Sequence, residues 1–184
     1  MMHAPDTTRS GQAWPVVENF MPDFKLPSAE GQPIKTSDYH SHDHDPNRRS
    51  LILVFVGPYS SDMRGPTSGL LSDLSRRYAE IVSGSAEVLA IVRGTTAEAA
   101  QVKQDGRLPF PVLADEDGQV YRDYGAITPD GRSVSQAVYV AGRYGKVYLS
   151  SRASDGPPLP TADGVLGSLD FIESRCPECG REEF

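Results

Sequence analysis

The stretch that decides the fold covers residues 51–78 and reads LILVFVGPYSSDMRGPTSGLLSDLSRRY. Its first six residues, 51–56, are all apolar and rich in β-branched side chains. Such a run is too short for an independent helix and predicts a strand buried on both faces. After a loop of glycine, proline and serine, apolar residues recur at the spacing of an amphipathic helix over residues 70–81. The sequence therefore predicts a strand, a loop and a helix in that order.

The residues that open this helix, 63–67, lie where unpaired backbone N–H groups and the helix dipole stabilise an anion. A thiolate would be activated at such a place. The stretch resembles the W-C-G-P-C motif of the thioredoxin fold, which follows the same strand and opens the same helix. Here it reads M-R-G-P-T, so Gly65 and Pro66 are kept, while Arg64 and Thr67 stand at the two cysteine positions. The resemblance implies the family's catalytic position without its dithiol.

Two further segments extend this resemblance. Residues 21–39, MPDFKLPSAEGQPIKTSDY, resemble the opening of the alkyl hydroperoxide reductase and thiol-specific antioxidant branch of the thioredoxin-like proteins, with its P-D-F-x-L segment and short S-D-Y element. Residues 108–115, LPFPVLAD, resemble its L-P-F-P-hydrophobic-L-x-D segment, and residues 121–125 its following Y-G turn. The resemblance covers roughly residues 21–172. It implies a peroxiredoxin-related domain with antioxidant or thiol–disulfide oxidoreductase activity.

Alternating elements follow the central unit. Residues 87–93 predict a second buried strand, and Thr95 with Glu98 has capping-box spacing for a helix to about Gln104. Strands that alternate with helices indicate a parallel sheet with right-handed crossovers. Residues 136–150 predict two strands joined by a tight turn. A last helix that packs on the sheet is predicted by the apolar residues Val165, Leu166, Leu169, Phe171 and Ile172. The expected fold class is α/β, a thioredoxin-like fold with a central mixed sheet flanked by helices.

The predicted hairpin also bears on chemistry. In the family that the chain resembles, an arginine just ahead of the first hairpin strand helps to hold peroxide, and an aspartate often precedes the turn. The corresponding positions here are Gln136 and Gly142. The resemblance therefore implies that the second half of a peroxide site is altered as well.

Composition sets the broad class. The chain has 184 residues, with 38% hydrophobic and 23% charged, which is ordinary for one globular domain. We expect a flexible arm over residues 1–16, a thioredoxin-like domain over 17–174 and a C-terminal tail over 175–184. The net charge of -7 argues against nucleic acid and anionic membranes, both of which require a basic face. Without a long apolar segment or a signal peptide, the expected location is the cytoplasm. The expected partner is a protein or a thiol, with a homodimer as one alternative.

Three histidines alternate in the approach to the central strand. In an extended backbone His40, His42 and His44 would share one face, which could bind zinc or nickel through neutral imidazoles. The alternative is a solvated polar loop.

The two cysteines of the chain, Cys176 and Cys179, form a C-x-x-C pair after the last predicted helix. With Gly180 the pair resembles a zinc-ribbon knuckle, which needs two more ligands from a second chain or from the histidine loop. The pair could instead cycle between dithiol and disulfide, although a helix C-terminus opposes a low thiol pKa. A frayed tail with two exposed thiols is the third possibility.

Three functions stay open. Arg64 cannot act as a nucleophile because its guanidinium stays protonated, and Thr67 is a weak nucleophile without a neighbouring base. Arg64 either extends into solvent beside Asp62 or binds an anion. The first hypothesis is a non-catalytic binding or regulatory module that uses the surface of residues 59–67. The second is an oxidoreductase working through Cys176 and Cys179, and the third is a dimer bridged by zinc at the same pair.

Overall fold

A computed structural model of the chain describes residues 15–40, 48–57, 66–127 and 132–174. Within these ranges the chain forms seven strands and five α-helices. The strands are β1 (Lys25–Pro27), β2 (Pro33–Lys35), β3 (Ser50–Phe55), β4 (Ala86–Val92), β5 (Val112–Ala114), β6 (Ala137–Ala141) and β7 (Val147–Arg152). The helices are α1 (Pro66–Arg76), α2 (Tyr78–Ser83), α3 (Thr96–Gly106), α4 (Gln119–Asp123) and α5 (Ala162–Ser174). Short 3-10 turns cover Thr36–Asp38 and Ala153–Asp155.

Five strands form one mixed sheet in the order β5-β4-β3-β6-β7. Strand β3 pairs with β4 in parallel and with β6 antiparallel, and β6 pairs with β7 antiparallel. Strands β1 and β2 form a separate antiparallel ribbon. The mixed sheet with helices on its faces confirms the α/β thioredoxin-like fold.

The central strand β3 is buried along its whole length, as its apolar run predicts. Ile52 and Val54 face a core that α1, α2, α3 and α5 cover, whereas Phe55 faces a second core on the opposite side of the sheet. The ring of Phe55 contacts Tyr121 and Tyr124 there, each at a centroid distance of 5.1 Å. Burying a large apolar side chain contributes about 1.5–3 kcal/mol, so the two-sided burial of β3 makes it the anchor of both cores.

The capping box of α3 is confirmed. The N–H of Glu98 donates to Oγ1 of Thr95 at 3.3 Å, and the N–H of Thr95 donates to Oε2 of Glu98 at 2.7 Å. The helix ends at Gly106, two residues beyond the expected end near Gln104, and Arg107 takes the left-handed conformation that closes it. The two capping side chains therefore predict the start of this helix correctly, whereas the residue with positive φ at its end is Arg107 and not Gly106.

The prediction of one helix over residues 70–81 is wrong in one respect, because the chain forms two helices there that meet at Arg77. This residue has φ -102° and ψ 9°, outside the helical region. Its guanidinium reaches Glu80 at 2.9 Å and Asp163 of α5 at 2.5 Å. Both helices still face the same core, so the apolar period continues across the break. Periodicity alone cannot detect a single residue that leaves the helical conformation.

Helix α5 packs on the sheet through Val165, Leu166 and Leu169, as predicted. Phe171, which the apolar pattern also assigned to this face, is instead 49% exposed. Its ring stands edge-on to Tyr148 of β7 at 6.3 Å. No helix among the described residues has both the length and the apolar character needed to span a bilayer.

Candidate functional site

The strand-to-helix unit is present at the predicted place. Strand β3 ends at Phe55 and α1 begins at Pro66, with Thr67 in the first turn of that helix. Proline is favoured at the first helical position, because its fixed φ suits the helix and its missing N–H would lack a partner there anyway. Arg64 and the other residues of 58–65 lie outside the described ranges. The start of α1 thus marks the position at which the family resemblance places its catalytic dithiol.

Gln136 lies at this same edge of the sheet. It directly precedes β6, and its side chain packs against the backbone of Gly57, where a Cβ atom would come 2.8 Å from its Cγ. Gln136, at the position of the family's peroxide-holding arginine, therefore lies beside the end of β3. Its amide offers a donor and an acceptor but no positive charge.

Tyr121 fixes the ends of the two central parallel strands. Its buried hydroxyl lies 2.5 Å from the carbonyl oxygen of Val56 and 2.7 Å from that of Ile91. Burial raises the pKa of this phenol well above its ordinary value, so the hydroxyl keeps its proton and acts as a donor. The contact holds the backbone that leads directly into residues 58–65. From the sequence this tyrosine was assigned only to a turn, because a contact across 65 residues leaves no local signal.

Asp115 supports Tyr121 from the end of β5. The carboxyl group is fully buried, and its Oδ2 accepts from the N–H of Tyr121 at 2.8 Å. Burial raises the pKa of Asp115, and the neighbouring carboxylate of Asp117 acts in the same direction. The pKa of Asp117 is lowered, chiefly because it accepts from the N–H of Gln119 at 2.9 Å. The pKa values of these two carboxyl groups are therefore shifted in opposite directions.

A cavity of about 470 Å³ lies beside the first half of α1. Its second wall is the segment that joins β7 to α5, which the sequence predicted only as a proline-rich loop. The lining residues are Gly69, Leu70, Asp73, Gln136, Ala153, Gly156, Pro157, Pro158, Leu159, Pro160, Thr161 and Ala162. The lining is mainly apolar, and Asp73 and Gln136 add a carboxylate and an amide. Sequence reasoning missed this cavity because its walls are some 80 residues apart along the chain.

Of the three histidines predicted to share one face, only His40 belongs to the described residues. Its imidazole is buried, with Nε2 3.0 Å from Oδ1 of Asp23, and it packs against Gly145 in the hairpin turn. The same Asp23 oxygen accepts from the hydroxyl of Thr36 at 3.1 Å. His40 therefore joins three segments of the fold rather than belonging to a solvated loop, and ligation through Nε2 would break its contact with Asp23. His42 and His44 lie outside the described ranges.

The cysteine pair also lies outside the described residues. Helix α5 is described as far as Ser174, and Cys176 and Cys179 come after that residue in the sequence. Within the described part of the chain no group of three or more metal-binding side chains occurs. The metal and redox roles of the two cysteines remain predictions.

Comparisons with known proteins agree with this geometry. The profile of the AhpC/TSA family matches residues 17–150. Peroxidoxin BcpB from Mycobacterium tuberculosis is similar in structure, with a TM-score of 0.70, 21% identity, and coverage of 86% of this chain and 98% of that one. AhpC from Enterococcus faecalis is similar with a TM-score of 0.69 and 18% identity, and the match covers 89% of this chain and 99% of that one. The reduced 2-Cys peroxiredoxin of Plasmodium vivax is similar with a TM-score of 0.69 and 14% identity, and the match covers 85% of this chain and 96% of that one. No match was found among curated protein sequences.

Proposed function

Because the chain belongs to the AhpC/TSA family, yet carries Arg64 and Thr67 where the motif it resembles has cysteines, we propose that it is a non-catalytic binding module of the peroxiredoxin-related branch. Peroxide reduction requires a thiolate that attacks the peroxide oxygen. A guanidinium stays protonated and offers no lone pair for that attack, and a threonine hydroxyl is a weak nucleophile without an adjacent base. The family's chemistry therefore has no nucleophile at this turn.

The observation that carries the proposal is the cavity between α1 and the segment after β7. It adjoins the start of α1 and includes Gln136, so it occupies the surroundings of the family's catalytic position. Mostly apolar concave sites with a few polar groups are typical of ligand-binding pockets. A concave surface at this edge of the sheet supports a binding role that needs no nucleophile.

The lining favours an uncharged apolar or aromatic group on a partner protein. Pro157, Pro158 and Pro160 present flat apolar rings of the kind that pack against aromatic side chains. The net charge of -7 disfavours an anionic ligand, and the carboxylate of Asp73 is paired with the guanidinium of Arg76. The amide of Gln136 offers a neutral partner for a polar edge of the bound group.

A peroxidase assay tests the loss of catalysis. The full chain is mixed with hydrogen peroxide and dithiothreitol, and the expected peroxide consumption equals that of dithiothreitol alone. The Cys176→Ser, Cys179→Ser variant removes both thiols and serves as the control. Turnover that persists in this control would overturn the proposal.

Binding is tested by titrating the ¹⁵N-labelled full chain with N-acetyl-tryptophanamide as an aromatic probe. Chemical-shift changes are expected at the amides of Gly69, Leu70 and Ala153 and at the side-chain amide of Gln136. Changes spread evenly over the surface, or absent from the cavity, would refute the binding role.

The cysteine pair supports two other proposals. Because it follows the C-terminus of α5, the helix dipole opposes thiolate formation, which favours a shared metal over an activated thiol. A zinc-bridged homodimer is therefore the second candidate, and a thiol–disulfide oxidoreductase that works through Cys176 and Cys179 is the third.

A further inference from the structure

The segment between β7 and α5 forms one wall of the cavity and contains the sequence Pro157-Pro158-Leu159-Pro160. Each proline ring fixes its own φ at about −65°, and a residue that precedes a proline is kept out of the helical conformation. Within the described part of the chain, residues 157–160 make no backbone–backbone hydrogen bond. Both features are typical of the polyproline II conformation, whose carbonyl groups stay free to accept hydrogen bonds from outside.

The exposure of these residues shows which side of the segment faces outwards. A polyproline II helix has three residues per turn, so residues three apart in sequence share one edge. Pro157 shares an edge with Pro160, and Pro158 shares one with Thr161. Leu159 belongs to the third edge and packs against the core that the helices cover. Pro157, Pro158 and Thr161 are exposed and Pro160 is half-buried, so two proline-bearing edges are accessible.

Both ends of the segment are fixed to the rest of the fold. Before it, the N–H of Ala153 donates to the carbonyl of Gln136 at 2.9 Å. After it, the hydroxyl of Thr161 accepts from the N–H of Gly164 in the first turn of α5 at 3.3 Å. A Cβ atom built on Gly164 would lie 3.6 Å from Cβ of Pro160, so the last proline rests on this helix. A segment that is already ordered loses little conformational entropy when a partner binds.

The charged groups that flank the segment are paired within the chain. Oδ1 of Asp155 lies 2.9 Å from the guanidinium of Arg152, and Oδ1 of Asp163 lies 2.5 Å from that of Arg77. The accessible surface between them consists of proline rings and backbone carbonyl groups. A complementary partner has aromatic rings for the prolines and N–H or O–H donors for the carbonyls, and tryptophan and tyrosine side chains supply both.

We propose that residues 157–160 are a proline-rich ligand for a partner protein with an aromatic-lined groove of the kind that SH3 and WW domains use. In the complex, an aromatic side chain of that groove packs against the prolines at the cavity wall. The inference rests on the proposed binding function and names the class of partner for the same site.

A WW domain that binds P-P-L-P peptides serves as the probe. It is titrated into the ¹⁵N-labelled full chain, and saturable chemical-shift changes are expected at the amides of Gly156, Leu159 and Thr161, since the prolines have no N–H. A synthetic peptide of residues 153–162 is titrated in parallel. A domain that binds this peptide but not the folded chain would overturn the inference, and so would a domain that binds neither.

Pro158→Ala tests the contact, and Pro33→Ala is its matched control. Both prolines are exposed, so neither substitution should unfold the chain, and Pro33 lies in β2 outside the cavity lining. Pro158→Ala should weaken binding of the WW domain about tenfold, as truncation of an anchor residue at an interface does. Pro33→Ala should leave the affinity unchanged. Equal affinities for the two variants would show that the domain contacts another surface and would refute the inference.

N-acetyl-tryptophanamide separates this inference from the proposed function, because this small probe can enter the cavity without a groove around it. If it binds at the cavity and the WW domain does not bind, the partner class is wrong and the binding function stands. If neither probe binds, the binding function itself is refuted.

Discussion

The Tyr121 hydroxyl lies 2.5 Å from the carbonyl oxygen of Val56, and this contact holds β3 at the point where it enters the strand-to-helix loop. Tyr121→Phe should lower the free energy of unfolding by about 1–3 kcal/mol, because the buried Val56 carbonyl loses its donor. The carbonyl of Ile91 is affected less, because it still accepts a hydrogen bond from the N–H of Val56 at 2.9 Å. Urea denaturation measures the loss.

The control for this prediction is Tyr144→Phe, which removes a hydroxyl from a half-buried ring outside both cores. It should change the unfolding free energy by less than ~0.5 kcal/mol. Equal losses in the two variants would show that the Tyr121 hydroxyl has no special part in holding β3.

Asp115 provides a pH-dependent prediction. Its folded-state pKa is raised above the usual value of 3.8, so between these two pKa values the folded chain binds more protons than the unfolded chain. Stability must therefore fall as pH rises through this window and level off above the raised pKa. Asp115→Asn cannot ionise, and its side-chain oxygen can still accept from the N–H of Tyr121. The variant should gain stability relative to wild type as pH rises.

Urea denaturation from about pH 4 to about pH 8 measures this difference. Asp115→Ala is the comparison, because it removes the acceptor together with the charge and should be destabilised throughout. A stability difference between Asp115→Asn and wild type that does not vary with pH would contradict the raised pKa. Asp117 is retained in both variants, but its lowered pKa depends in part on its hydrogen bond with Asp115 and should therefore move towards its ordinary value in Asp115→Ala.

Much of the fold could be predicted because its signals are local. The apolar run of β3 and the capping pair Thr95 and Glu98 each depend on a few neighbouring residues, and both are confirmed. The break at Arg77 could not be predicted, since one residue outside the helical region leaves the apolar period intact. Helix α4 was expected only as a turn, because five residues are too few to establish a period.

The candidate site was predictable only where a motif marks it. The start of α1 and the position of Gln136 follow from the family resemblance, and both lie at the same edge of the sheet. By contrast, the links from Tyr121 to Val56 and from His40 to Asp23 join residues far apart in the chain. Such contacts form only when the strands are assembled, so no local sequence pattern predicts them.

The strand-to-helix turn should still accept a dithiol. In a chain that already carries Cys176→Ser and Cys179→Ser, the further changes Arg64→Cys and Thr67→Cys restore the C-x-x-C spacing at the start of α1. Gly65 and Pro66 meet the backbone requirements of the turn, whereas the cysteines supply only chemistry. We expect a folded protein with a disulfide that dithiothreitol reduces.

Thiol titration before and after reduction measures this pairing. The control carries Arg64→Ser and Thr67→Ser in the same cysteine-free chain and should show no thiols in either state. An unfolded double-cysteine variant, or two thiols that never pair, would mean that the M-R-G-P-T stretch is aligned wrongly with the family motif.

The C-terminal cysteines should be dispensable for folding. The core on the α5 side is closed by Val165, Leu166 and Leu169, so residues after Ser174 can add little apolar burial. Cys176→Ser with Cys179→Ser should therefore leave the thermal midpoint of the monomer almost unchanged. Differential scanning calorimetry measures the midpoint, and Leu169→Ala, which removes a buried side chain, should lower stability by about 2–5 kcal/mol as the positive control.

Zinc content decides what the same pair does. A zinc ion deprotonates a coordinating thiol outright, so it can overcome a helix C-terminus that would otherwise raise the thiol pKa. If zinc bridges two chains, the purified protein should contain one zinc per two chains, and the double serine variant should lose both the zinc and the dimer. Metal analysis and sedimentation measure these quantities together. A zinc-free monomer whose midpoint falls sharply in the serine variant would mean that the tail belongs to the core, because only packed structure could then account for the loss.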